Sequence, residues 1–433
     1  MAGHSPEPLG IPEREDSADR RKTPAGAGPH ALDRWLANKF MEAIGSPPLS
    51  LTLWDGERVY SPRDPVAGLC VHDRGALWRL VPHPDLAIGD LYSLGRITVE
   101  GDLLTALETV YRSMSELDRH NRMLRTVQRV ILSTAPSLSR ARANIHHHYD
   151  LGNDFYELWL DRDALQYTCA YYPASEMTLE QAQRAKMDHV CRKVWLQPGE
   201  SVVEAGCGWG GFALHMARHY GVTVRAFNIS REQIVYARAW AAREGLSDRV
   251  EFVEDDFRNI TGRYDAFLSI GMLEHVGRGN YSHLGRVIDR CLKPDGRGLI
   301  HSIGRDRPWP LNAWIRKRIF PGAYPPTLRE MTQIFEPSGF SVLDAENLRL
   351  HYAATLREWL DRYEQRVDTV RGMFDERFVR AWRLYLAGSI AGFTRGSLQL
   401  FQVLFARSGV NAIPRSRAHV YEDGEAEVLG ESA

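Results

Sequence analysis

The stretch ANIHHHYDLGNDFY sets His146, His147 and His148 side by side, directly before Tyr149 and Asp150. Histidine is the commonest metal ligand, so the run invites a metal centre. Its spacing argues otherwise. Neighbours on a helix point about 100° apart, so three in a row do not converge on one ion. Helical ligand pairs stand four residues apart. The five cysteines, Cys70, Cys169, Cys191, Cys207 and Cys291, form no CxxC pair. That excludes a short-spaced zinc site and a disulfide framework, and it fits a reducing, cytoplasmic setting. No metal is expected.

A second constellation is EAGCGWGG, with Gly206, Gly208, Gly210 and Gly211 between an apolar run and an amphipathic one. Glycines at a strand-to-helix turn let the backbone approach a ligand closely. Such a turn suits NAD or S-adenosylmethionine. The next apolar run ends in AFNIS, without the acidic residue that NAD enzymes place on the ribose. The third ends in EDDF, which offers Asp255 and Asp256 to an adenine amino group. The balance favours a methyltransferase over a dehydrogenase.

These residues need a scaffold. From about Pro198 the chain alternates strand and helix: ESVVEAG, VTVRAFNIS, VEFVEDDF, YDAFLSIG and GRGLIHSIG read as strands. REQIVYARAWAAREG reads as a helix between two of them. The alternation predicts an α/β, Rossmann-like, doubly wound and mostly parallel sheet, with ligands at the C-terminal strand ends. Ahead of it, residues 31–135 read as a smaller α+β domain. LSLTLWDGERVY forms a hairpin over Asp55-Gly56, ALWRLVPH a further strand, and DLLTALETVYRSM a helix. Residues 1–30 are rich in Pro, Gly and charge and are expected to be disordered. Residues 136–408 would be the catalytic domain and 409–433 a flexible acidic tail.

The chain has 433 residues and a formal net charge of -1. No global field draws nucleic acid, and no nucleic-acid partner is expected. No signal-peptide pattern and no window of about 20 apolar residues occurs. Two segments could meet a membrane surface. DRHNRMLRTVQRVI interleaves Arg119, Arg122, Arg125 and Arg129 with apolar residues; a solvated helix with one buried face is the plainer reading. RDRPWPLNAWIRKRIFPGAYPP sets Trp309, Trp314, Ile315, Ile319 and Phe320 beside Arg316, Lys317 and Arg318, which suits an anionic interface or an ordinary cap helix.

The ordered segments HYDLGNDFYELWLD, QYTCAYY, EAGCGWGG, NISREQ, GMLEHVG, LIHSIG, FPGAYPP, LHYAATLREW and FQVLFAR resemble those of the cyclopropane-fatty-acid and mycolic acid cyclopropane synthases and related lipid C-methyltransferases. The first block, through GDLYSLGRITVEGDL, is similar to the lipid-binding domain of the family's longer members. The resemblance implies that a methyl group passes from S-adenosylmethionine to an acyl-chain double bond. The resulting carbocation loses a proton to a base, and the ring closes. An alkene is a weak nucleophile, so it must be oriented at the methyl and shielded from water.

The resemblance further implies a bicarbonate ion as the base, held by Cys169, Glu274, His301, the Ile303 backbone and Tyr352. His301 and Tyr352 would donate to the anion, and Glu274 would accept from its hydroxyl. Cofactor contacts carried over are His148, Tyr149 and Gly152 from a lid segment, Tyr167 and Thr168, Glu204, Gly206 and Gly208, Asn228 and Gln233, with Asp255 and Asp256 for the adenine. Ser389 stands where the family commonly has a cysteine; a serine without an activating base is a weak nucleophile. That position leaves a methyl-branched or methylene product as an alternative to cyclopropane. The expected partner is an unsaturated phospholipid reached from the inner face of the membrane, by a cytoplasmic, peripheral protein, with a homodimer as an option. Rival readings are an N-methyltransferase and a non-catalytic lipid carrier; binding of S-adenosylmethionine separates the carrier from the enzymes.

Overall fold

A computed structural model describes residues 9–11, 28–120, 151–411 and 413–421, without the side chains of 117–120. The expectations for His146, His147, His148, Tyr149 and Arg122–Arg129 lie outside the described residues. The chain divides into two compact units, and neither is continuous in sequence.

The first unit takes the described residues up to Trp159, with Arg305–Tyr324 and Ala353–Leu398. Its sheet runs in the order β2-β1-β3-β4, where β1 is Leu49–Thr52, β2 Arg58–Tyr60, β3 Ala67–Val71 and β4 Ile97–Glu100. The β1–β2 pair is the expected hairpin, antiparallel, with Gly56 at φ 87° in the turn. The strand expected at ALWRLVPH is instead the helix Arg74–Leu80. Asp73 caps it by accepting from the Ala76 amide at 2.8 Å, and Ala76, Leu77 and Leu80 share its buried face. The helix Leu103–His120 covers DLLTALETVYRSM as predicted.

The segment RDRPWPLNAWIRKRIF is not an outward-facing aromatic belt. Trp314 is 3% exposed and lies so close to Gly89 that a Cβ there would meet the indole at 2.4 Å. Ile319 is buried, and the Arg318 guanidinium forks onto buried Asp90 at 3.0 and 2.9 Å. Only Arg316 and Lys317 of the basic triplet are exposed. In the same unit Phe155, Trp159, Trp359, Phe378 and Trp382 form an aromatic core by edge and stacked contacts. Arg380 donates to the Tyr92 carbonyl at 2.7 Å.

The second unit holds Leu160–Gly304, Pro325–Tyr352 and the described residues from Gln399 on. Its seven-stranded sheet runs β10-β11-β9-β8-β5-β6-β7. The strands are β5 Ser201–Ala205, β6 Thr223–Asn228, β7 Val250–Glu254, β8 Tyr264–Ile270, β9 Leu292–Gly304, β10 Phe340–Asn347 and β11 Gln399–Arg407. β5 to β9 are mutually parallel and are the five predicted strands; β11 runs antiparallel between β9 and β10. β5 sits between β6 and β8, so the chain reverses its direction of winding there, and ligands of such sheets bind at that crevice. The flexible tail expected from 409 is partly docked: Arg417 pairs with Asp344 at 2.6 Å, and Val420 is buried in the short helix Ala418–Tyr421.

Candidate active site

Glu204 is the penultimate residue of β5, and the glycine-rich turn follows Ala205. Gly208, at φ 54°, faces open space, where a backbone can meet a ligand. Gly211 opens the helix Gly211–His219, and a Cβ there would stand 2.0 Å from the Ala164 carbonyl oxygen. That closeness presses the segment 161–169 against the turn. Burial pushes Glu204 up to about 8, with Lys186 pulling the other way.

At the end of β6, Asn228 donates to the Gly208 carbonyl at 3.2 Å and to Gln233 Oε1 at 2.7 Å. Ser230 caps the following helix, Arg231–Arg243, by accepting from the Gln233 amide. Gln233 Nε2 is buried without a partner among the described residues. Beyond β7, the Asp255 amide donates to the Asn228 carbonyl at 3.1 Å. Asp256 is buried and caps a short turn at Arg258, so half-buried Asp255 is the better placed of the two to meet a ligand. Glu204, Gly206, Gly208, Asn228, Gln233 and Asp255 thus converge on adjoining strand ends.

The other expected group forms on the far side of β5. Glu274 accepts from the Ile303 amide at 2.6 Å. Burial raises its carboxyl to about 7, against hydrogen bonds from backbone amides and Ser302. His301 lies two residues before Ile303 on β9; burial holds it well below its usual range, aided by the positive Lys186 and Lys193. Gln402 Nε2 stands 3.2 Å from His301 Nδ1 and fixes the tautomer that carries its proton on Nε2. Among the described residues, neither His301 Nε2 nor Glu274 Oε2 has a hydrogen-bond partner, and both atoms are buried. Cys169 is fully buried, its Sγ 4.0 Å from the Leu348 carbonyl, to which the Tyr352 amide also donates. A Cβ on Gly271 would meet Thr168 at 2.9 Å, which ties QYTC to the loop before Glu274. The Ile303 amide is spent on Glu274, so this residue orients the carboxylate.

Gly152 and Ser389 belong to the first unit. Gly152, at φ 90°, precedes the helix Asn153–Glu157, and Ser389 is half-buried in the helix Glu376–Thr394. Sequence reasoning missed the buried polar frame behind QYTC. Asp161 accepts from the Ala164 and Gln166 amides at 2.8 and 2.7 Å. Gln183 and Lys186, one turn apart on the helix Leu179–Lys193, reach the same segment. No motif marks them.

A parallel sheet reversing at β5, a glycine-rich turn at its end and polar groups on the next two strand ends define a class I S-adenosylmethionine-dependent methyltransferase. The chain belongs to the mycolic acid cyclopropane synthetase family, which it matches over residues 137–403. A probable fatty acid methyltransferase of Pseudomonas putida is 33% identical over 386 residues, covering 86% of this chain and 96% of the relative. The cyclopropane-fatty-acyl-phospholipid synthase of Escherichia coli strain K12 is 38% identical over 271 residues, 62% of this chain and 69% of the relative. A solved mycolic acid cyclopropane synthase complexed with SAH and CTAB superposes with a TM-score of 0.58 at 28% identity, over 61% of this chain and 97% of that one.

Proposed function

We propose that this enzyme is a cyclopropane-fatty-acyl-phospholipid synthase, acting on the double bond of an unsaturated acyl chain in a phospholipid. The observation that carries the reading is the pair of buried, unpartnered atoms Glu274 Oε2 and His301 Nε2, held near each other by the Ile303 amide's bond to Glu274. A buried polar atom left unmade costs stability, so such a pair points to a small polar ligand. Bicarbonate fits: His301, neutral and donating from Nε2, offers a hydrogen bond to an oxygen, and Glu274 accepts from a hydroxyl. Tyr352 and Cys169 complete the holders.

Bound S-adenosylmethionine supplies an electrophilic methyl group, and bound bicarbonate supplies a base. The protein does the rest. The turn at Gly206–Gly208, with Asn228, Gln233 and Asp255, holds the cofactor, and Tyr167 and Thr168 add contacts. Glu274, steadied by the Ile303 amide, would hold such an anion by accepting from its hydroxyl. The apolar setting that raises Glu274 also keeps water from a cation.

A methyl-branched or methylene product is the second reading. Ser389 in place of the family cysteine favours it, as does the similarity to a fatty acid methyltransferase. No helix among the described residues is long and apolar enough to cross a membrane; the lipid is reached from a membrane surface by a peripheral enzyme. Expression in a host lacking its own synthase, with gas chromatography and mass spectrometry of fatty acid methyl esters, tests the proposal. Cyclopropane esters are expected; unchanged monounsaturated esters would refute lipid methylation, and methylene or methyl-branched esters that keep a carbon–carbon double bond would select the second reading.

A further inference from the structure

The segment Asp161–Cys169 carries residues expected at the cofactor, and one buried cation organises it. Lys186 is fully buried on the helix Leu179–Lys193. Its Nζ donates to Gln166 Oε1 at 2.6 Å and to Thr168 Oγ1 at 3.0 Å. The Gln166 amide nitrogen is thereby turned to the Ala164 carbonyl at 3.1 Å. Gln183, one turn earlier on the same face, donates to the Thr168 carbonyl at 2.8 Å. Main chain and side chain of Thr168 are therefore both held from one helix. Burying a lysine is costly; the buried Asp161 and Glu204 carboxyls offset part of that cost, and both hydrogen bonds named above go to the segment that carries Thr168.

The chemistry of the contact gives a reason. An ammonium has three donors and no acceptor, whereas a hydroxyl has one proton and can accept twice. Once Lys186 donates to Oγ1, the Thr168 proton must be given to another acceptor. Thr168 packs against Gly271, past the end of β8. β6 and β7, with Asn228 and Asp255, lie across β5 from it. A cofactor spanning the crevice with its nucleoside towards β6 and β7 presents its amino-acid end to Thr168. That end carries one strong acceptor, a carboxylate.

We propose that Lys186 is a positioning residue that makes the Thr168 hydroxyl a dedicated donor to the carboxylate of bound S-adenosylmethionine. The inference rests on Thr168 being a cofactor contact, as in the proposed function. Calorimetric titration of the full-length enzyme with S-adenosylmethionine and with its decarboxylated analogue tests it. A charge-assisted hydrogen bond of this kind corresponds to about tenfold in affinity. Thr168→Val and Lys186→Met should each weaken S-adenosylmethionine about tenfold, leave the analogue's affinity unchanged, and lose nothing more when combined. If Lys186→Met does not fold, Lys186→Leu, which likewise removes the donor, is read the same way. An unchanged affinity in Thr168→Val would remove the Thr168 contact itself. A loss in Thr168→Val but none in the Lys186 variant, or additive losses, would overturn the role of Lys186 alone. Equal weakening of both ligands would show general distortion and overturn it as well.

Discussion

Glu274 and His301 are chemically complementary because burial moves both towards neutrality. The carboxyl rises to about 7, while the imidazole falls well below its usual range and stays a neutral donor. If turnover needs the Glu274 carboxylate, activity climbs as pH rises through about 7, and Glu274→Gln loses that limb. The variant is expected to fall in kcat by about 100-fold or more, the scale of a mispositioned base, with S-adenosylmethionine binding retained. Steady-state rates across pH, with a parallel titration of cofactor, check this; near-wild-type turnover would remove Glu274 from the site. Cys169, Glu274, His301 and Tyr352 could be named from the sequence because each sits in a distinct short motif. Lys186 could not. A lysine between Ala182 and Val190 reads as a solvent-facing residue, and only the packed segment 161–169 gives its ammonium buried acceptors.

At the scale of elements, β5 and its turn carry a cost written into Glu204. Its folded carboxyl titrates near 8, above the ordinary 4.5, because burial penalises the charge. A raised carboxyl stabilises the fold fully below the unfolded value and loses that contribution as pH rises through the folded one. Glu204→Gln should therefore gain in Tm relative to wild type between about pH 5 and pH 8, seen by thermal unfolding at both. A constant difference would mean that Glu204 is already ionised in the fold. The Gly211→Ala change is expected to loosen the same turn, since the added carbon collides with the Ala164 carbonyl; weakened S-adenosylmethionine binding would report it. The parallel strands were readable from alternation and turn glycines. β10 and β11 were not, because an antiparallel addition at the edge of a parallel sheet follows no βαβ rhythm. The helix Arg74–Leu80 was misread as a strand because a short apolar run fits either period, and Asp73 decides it by capping.

At the scale of the molecule, the first unit is assembled from pieces far apart in sequence. Arg318 returns to Asp90, Trp314 to Gly89, and Arg380 to the Tyr92 carbonyl. Aromatic and basic composition alone could not say which face of RPWPLNAWIRKRIF points inward; Trp314 and Arg318, four residues apart, both do. Asp90→Asn should destabilise the protein by about 3 to 5 kcal/mol, since it strands a buried guanidinium, and Arg318→Met with Asp90→Leu should cost less. Denaturant unfolding compares them; equal stability of Asp90→Asn and wild type would mean the pair is not buried as described. Removing residues 1–135 should leave no soluble enzyme, because Trp314, Arg318 and Arg380 would lose their partners.

The central claim is that a base held by Glu274 and His301 takes a proton from the incoming methyl group. Purified enzyme given S-adenosylmethionine deuterated in its methyl group, and vesicles of an unsaturated phospholipid, decides it by mass spectrometry of the product esters. The account predicts cyclopropane esters that keep two of the three deuterium atoms; a product retaining all three would contradict it.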